Sequence, residues 1–60
     1  MKAFVNDQEV NLGNGMTVKH ALIAASLIDE TKQGKKVYDE MGHEIGLGGA
    51  LMEGSKIYVR

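Results

Sequence analysis

The sequence predicts an α+β fold, a small mixed sheet carrying one helix on one of its faces. Three observations lead there. The first twelve residues alternate apolar and polar around a polar break, the pattern of a hairpin half-buried on one side. Val18, Ala21, Leu22, Ala25 and Ile28 then recur at helical spacing and form one apolar stripe. The chain closes on Lys56-Ile57-Tyr58-Val59-Arg60, a second strict alternation. A helix with a single apolar stripe must bury it on a sheet, and sheet residues of one parity must meet it.

In the hairpin, Met1, Ala3 and Val5 point one way and Lys2 and Phe4 the other. Asn6-Asp7-Gln8 is turn-prone, because Asn and Asp tolerate left-handed backbone and bond their own main chain. Strands are expected over Lys2–Val5 and Glu9–Leu12, with Val10 and Leu12 keeping the apolar parity across the turn. Thr17 stands where a helix N-cap belongs, and the stripe predicts a helix over Val18–Ile28, widened on one flank by Ile23 and Leu27. Asp29-Glu30 falls at its C-terminal end, where the helix macrodipole disfavours acid, and Thr31-Lys32-Gln33-Gly34 stops it.

The last third is read as short pieces. Lys36-Val37-Tyr38 is strand-like, Asp39-Glu40-Met41-Gly42 is a turn, and Glu44-Ile45-Gly46 forms only a very short strand. Gly48-Gly49-Ala50-Leu51 is expected as a loop with one turn of 3₁₀ helix, and Glu53-Gly54-Ser55 as a tight turn before the closing strand Lys56–Arg60. The order is β-β-α-β-β-β, with four to five strands and one helix. The expected inward set is Met1, Ala3, Val5, Val10, Leu12, Ile57 and Val59 against Val18, Leu22, Ala25 and Ile28. A right-handed crossover makes the first and last strands parallel neighbours. No internal repeat or linker divides the chain, so residues 1–60 read as a single domain.

Composition narrows the chemistry. A chain of 60 residues buries only about 60% of its unfolded surface and is marginal unless stapled. With no cysteine it has no disulfide, no thiol nucleophile, no iron–sulfur cluster and no Cys-ligated zinc, which fits a reducing compartment. Seven Lys and Arg against eight Asp and Glu leave a net charge of −1, so no bulk charge steers the chain to nucleic acid or membrane. The longest apolar stretch, Ala21 to Ile28, is far too short to span a bilayer, and Met1-Lys2-Ala3-Phe4-Val5 opens no signal-peptide core. A cytoplasmic location is expected, without cofactor or membrane partner.

Three stretches, FVNDQEVNL, GMTVKHALIAASL and GGALMEGSKIYV, together resemble a compact β-grasp, or ubiquitin-like, domain over the whole chain. The sulfur-carrier proteins of thiamine and molybdopterin synthesis have a similar hairpin, helix and closing strand. TGS domains of some tRNA synthetases and GTPases end much like Ala50-Leu51-Met52-Glu53-Gly54-Ser55-Lys56-Ile57, and the amino-terminal part resembles the opening of a 2Fe–2S ferredoxin-type domain. The departures count as much as the likeness. A sulfur carrier works through a flexible carboxy-terminal Gly-Gly, whereas this sequence runs Tyr58-Val59-Arg60 and its Gly48-Gly49 is internal, already an amide. A ferredoxin-type site needs cysteines. The expectation is a non-catalytic interaction module. The alternatives are a sulfur-carrier-like protein lacking its Gly-Gly tail and a TGS-like domain binding RNA or a nucleotide.

Several residues invite a chemical role and lack its context. His20 and His43 fall on different elements, without the spacing of a metal pair. Asp39, Glu40 and Glu44 flank a turn with no oxygen-rich cation loop around them. Ser55 has no nucleophile-elbow glycines, and Gly46-Leu47-Gly48-Gly49 lacks the Lys-Ser/Thr and the following helix of a phosphate loop. One constellation is richer. If parity holds, Lys2 and Phe4 on the first strand lie beside Lys56, Tyr58 and Arg60 on the last, all on the face away from the helix. Two aromatics interleaved with three cations have the composition of an interface hot spot, and Phe4 on a wet face is hard to explain by solubility. These five residues are the expected partner-binding surface. Another protein is the expected partner, ahead of a nucleic acid. The four methionines, Met1, Met16, Met41 and Met52, add adaptable apolar surface suited equally to binding and to filling gaps.

Overall fold

Alternation does set the sheet. The computed structural model describes all 60 residues and shows β1 (Lys2–Val5), β2 (Gln8–Asn11), α1 (Val18–Ala24), α2 (Ile28–Lys32), β3 (Val37–Asp39), β4 (Glu44–Ile45) and β5 (Ser55–Val59). The strands form one five-stranded mixed sheet in the order β2-β1-β5-β3-β4. β1 and β5 run parallel, as the crossover rule requires, and every other neighbouring pair is antiparallel. This α+β architecture is compatible with a β-grasp-like fold.

The hairpin turns more tightly than expected. Asn6 and Asp7 alone form the loop, with φ of 50° and 68°, so Val5 pairs Gln8 and β2 begins at Gln8 rather than Glu9. Positive φ at both central positions is the type I′ turn whose twist matches a two-residue hairpin, and Asn and Asp accept it at low cost. Leu12 lies beyond β2, yet its N–H donates to the Met1 carbonyl at 2.8 Å and keeps the predicted parity.

The single helix over Val18–Ile28 is corrected to two short ones, giving the order β-β-α-α-β-β-β. After Ala25 the chain closes on itself: Leu27 N–H donates to the Leu22 carbonyl at 2.8 Å and Ser26 N–H to Ile23 at 3.1 Å, with Ser26 at φ 61°. These are the paired bonds of a Schellman ending, with serine where glycine is usual. The break lets two consecutive residues, Leu27 and Ile28, both pack against the core. A continuous helix would splay them about 100° apart. Asp29 and Glu30 then occupy the first turn of α2 and Lys32 its last, so the charges misplaced for one helix are well placed for a second.

Eleven buried apolar residues make the core: Ala3, Val5, Val10, Leu12, Val18, Ala21, Leu22, Ala25, Val37, Ile57 and Val59. Nine of these were in the expected inward set. Val37 joins them because β3 lies against β5, pairing Val37 with Val59, and Ala21 because it sits one turn before Ala25 on the α1 stripe. Met1 and Ile28, expected inside, are half-buried at its margin. Leu22 is fully enclosed, and α1 packs chiefly across β1 and β2.

The remaining boundaries shift by a residue. β3 runs Val37–Asp39 and β5 Ser55–Val59, while Arg60 still exchanges two backbone bonds with Lys36 at 2.9 Å each. Gly46 falls outside β4, and the segment from Gly48 to Leu51 contains no 3₁₀ turn. It passes instead beneath the start of α1, where Thr17 bridges Ala50. A Cβ on Gly49 would lie 3.2 Å from the Gly46 carbonyl oxygen and 3.3 Å from Val18 Cγ2, tight enough that a larger residue would push these neighbours aside by a few tenths of an ångström.

Candidate functional site

α1 buries Val18, Ala21 and Leu22 in the core on one side of the sheet and α2 adds the half-buried Ile28 at its margin, while no element covers the other side. The residues of that open face follow from strand parity. On β1 they are Lys2 and Phe4, on β5 Lys56 and Tyr58, and Arg60 continues the row just past the strand end. The five residues expected as a partner surface therefore do come together. Phe4 pairs directly with Lys56, and Tyr58 is the diagonal neighbour of Phe4, within reach of an aromatic side chain. Phe4 and Tyr58 are half-buried, while Lys2, Lys56 and Arg60 are exposed.

A sixth member was not anticipated. Tyr38 pairs with Tyr58 across β3 and β5, so a third aromatic extends the row. The sequence signal was present, because Val37 faces the core and its neighbour Tyr38 must then face away. What could not be read was that β3 would lie against β5.

The electrostatics of this face are uneven. Lys2 Nζ lies 3.7 Å from Glu9 Oε2, and Lys36 Nζ lies 3.8 Å from Glu44 Oε1, both in exposed pairs worth little to stability. Lys56 and Arg60 make no ion pair. The Arg60 guanidinium sits 5.5 Å from the centre of the Tyr58 ring, a cation–π contact at an exposed site. The middle of the face thus presents two unpaired cations around three aromatics, bordered by carboxylates at its two edges.

The other singled-out residues have local duties. His20 Nδ1 accepts the Thr17 N–H at 3.0 Å and lies 3.2 Å from Thr17 Oγ1, closing the first turn of α1. His43 Nδ1 lies 3.8 Å from Asp39 Oδ2, and Asp39 Oδ1 accepts the N–H groups of Met41 and His43 at 2.9 and 2.8 Å, which fixes the β3–β4 turn. Ser55 Oγ accepts the Met52 N–H at 2.9 Å. The glycine loop offers carbonyls rather than donors: Leu47 and Gly49 accept the N–H groups of Lys19 and Val18 at 2.9 and 3.0 Å. It thereby occupies the helix end that a phosphate would need. No three His, Asp or Glu side chains converge where they would hold a metal ion. No helix is long and apolar enough to cross a membrane.

No family model, no curated protein and no solved structure matches this chain.

Proposed function

We propose that the chain is a small non-catalytic β-grasp module that binds a partner protein through its open sheet face. The β-grasp reading is supported by the parallel β1–β5 pair at the centre of the sheet and by helices on one side only. The binding reading is carried by one observation: Phe4, Tyr38 and Tyr58 gather with Lys56 and Arg60 on a face that nothing covers. Half-wet aromatics leave apolar area in water, and a partner covering it recovers roughly 25 cal/mol per Å². Arg and Tyr are also the residue types that dominate interface energetics. The two unpaired cations favour an acidic protein surface, and binding weakens as salt rises.

The test is an NMR titration of the labelled chain with candidate acidic partners from the native cell. Resonances of Phe4, Tyr38, Tyr58 and Arg60 are expected to move. Tyr58→Ala and Phe4→Ser are expected to lose about 1–3 kcal/mol of binding while keeping the fold. Shifts clustered on Lys19, His20 and Ile23 would transfer the interface to the helix side. Tighter binding of a single-stranded oligonucleotide to the same residues would favour the TGS-like alternative instead.

A further inference from the structure

A second surface lies at one end of the sheet, where the β3–β4 turn faces the segment leading into β5. Between them runs a solvent-open groove of about 430 Å³. Ile45 and Leu51, both half-buried, contribute apolar lining, as does Ile57 from the core. Met41 and Met52 line it too, one from each segment, and they are the most exposed large apolar side chains in the molecule, at 79% and 75%. Neither fills a gap, so the packing role open to a methionine does not explain them, whereas unbranched thioethers suit an adaptable contact surface.

Charge gives the groove a sign. Asp39, Glu40 and Glu53 line it against the single cation Lys56. Elsewhere four of the five carboxylates, Glu9, Asp29, Glu30 and Glu44, are each paired with a lysine and only Asp7 is not, whereas none of the three groove carboxylates is within ion-pair distance of a lysine or arginine. Asp39 and Glu53 accept backbone N–H groups, which orients them. His43 faces Asp39 at 3.8 Å, while Glu40 and Glu53 have no cationic partner. An anionic lipid surface or a nucleic acid would be repelled here. We infer that this groove docks a lysine- or arginine-rich amphipathic segment of a partner protein. Its aliphatic side chains lie between Met41 and Met52, and its cations meet Asp39, Glu40 and Glu53. The polarity is opposite to that of the open sheet face, so the two surfaces select different partners, with Lys56 at the border of both.

The experiment uses the full chain with labelled methionine methyls and two synthetic peptides of equal length and leucine content, one leucine–lysine and one leucine–glutamate. The leucine–lysine peptide is expected to shift the Met41 and Met52 methyls and to bind more weakly as salt rises. Met52→Ser, which removes an exposed side chain and leaves charge unchanged, is expected to weaken that binding about tenfold. The inference is overturned if the leucine–glutamate peptide binds the groove equally well or if the methyls stay unmoved. It is also overturned if Met52→Ser has no effect, which would reduce the contact to undirected charge attraction. The same methyls shifting with protein concentration alone would make a second copy of the chain the occupant, and that too would overturn it.

Discussion

The side chain of Asn6 ties the hairpin turn to the last strand: its Oδ1 accepts the Val59 N–H at 2.9 Å, across 53 positions of sequence. The Asn6 main chain already donates to the Ile57 carbonyl at 3.0 Å, so one residue extends the β1–β5 pairing after β1 has turned away. It does so at φ 50°, a conformation asparagine tolerates better than most residues. Asn6→Ala removes the acceptor and strains the turn, and it is expected to cost about 1–3 kcal/mol in urea unfolding. Asn6→Gly relieves the strain without restoring the bond and should fall between the two. A fully stable Asn6→Ala protein would show that the bridge contributes nothing.

Leu22 is completely enclosed and is among the largest fully buried side chains of the core. Leu22→Ala is expected to cost about 2–5 kcal/mol. A domain of this size holds only a few kcal/mol in total, so circular dichroism and amide dispersion should report a largely unfolded chain. A measured loss under about 1 kcal/mol would contradict its place at the centre of the core.

Ser26 occupies the left-handed position that ends α1. That conformation costs an L-residue about 1–2 kcal/mol, while glycine there loses roughly 0.5–1 kcal/mol of extra chain entropy. Ser26→Gly should therefore leave stability unchanged or raise it by up to about 1 kcal/mol, and the β-branched Ser26→Val should lower it by more than about 1 kcal/mol. The comparison is read from thermal and urea midpoints. A stable Val variant would mean that one continuous helix forms without penalty.

His20 serves α1 through Nδ1, the acceptor for the Thr17 N–H. His20→Ala is expected to cost about 1 kcal/mol and to speed hydrogen exchange at the Thr17 amide. Gln at the same position supplies a side-chain carbonyl suited to a capping box, so His20→Gln should recover most of both effects. Equal exchange rates in all three proteins would show that the contact does not cap the helix.

The five sequence-expected face residues, Lys2, Phe4, Lys56, Tyr58 and Arg60, were legible because each follows from the parity of its own strand and from one topological rule, the right-handed crossover that sets β1 beside β5. Tyr38 was only half legible. Its parity is local, but its place opposite Tyr58 depends on β3 pairing with β5, a strand that follows only after β4 and the glycine-rich segment. The groove between Met41 and Met52 had no local signal, since its two walls come from segments about ten residues apart and neither segment is periodic.

The inward and outward parity of β1, β2 and β5 was thus legible in the sequence alone. Backbone geometry sends alternate strand residues to opposite sides and stacks helix residues three and four apart, so Ala3, Val5, Val10, Leu12, Leu22, Ile57 and Val59 were bound for one core whatever lay around them. Tertiary structure decided the rest. It chose the order β2-β1-β5-β3-β4, the break at Ser26 and the docking of the Leu47–Gly49 carbonyls onto α1. Each of these is a competition between packings that satisfy the same local pattern. Continuing the helix past Ser26 would have kept the stripe intact, and splitting it brought both Leu27 and Ile28 onto the core. The difference lies in buried area and hydrogen bonds formed between distant residues, which no window of sequence contains.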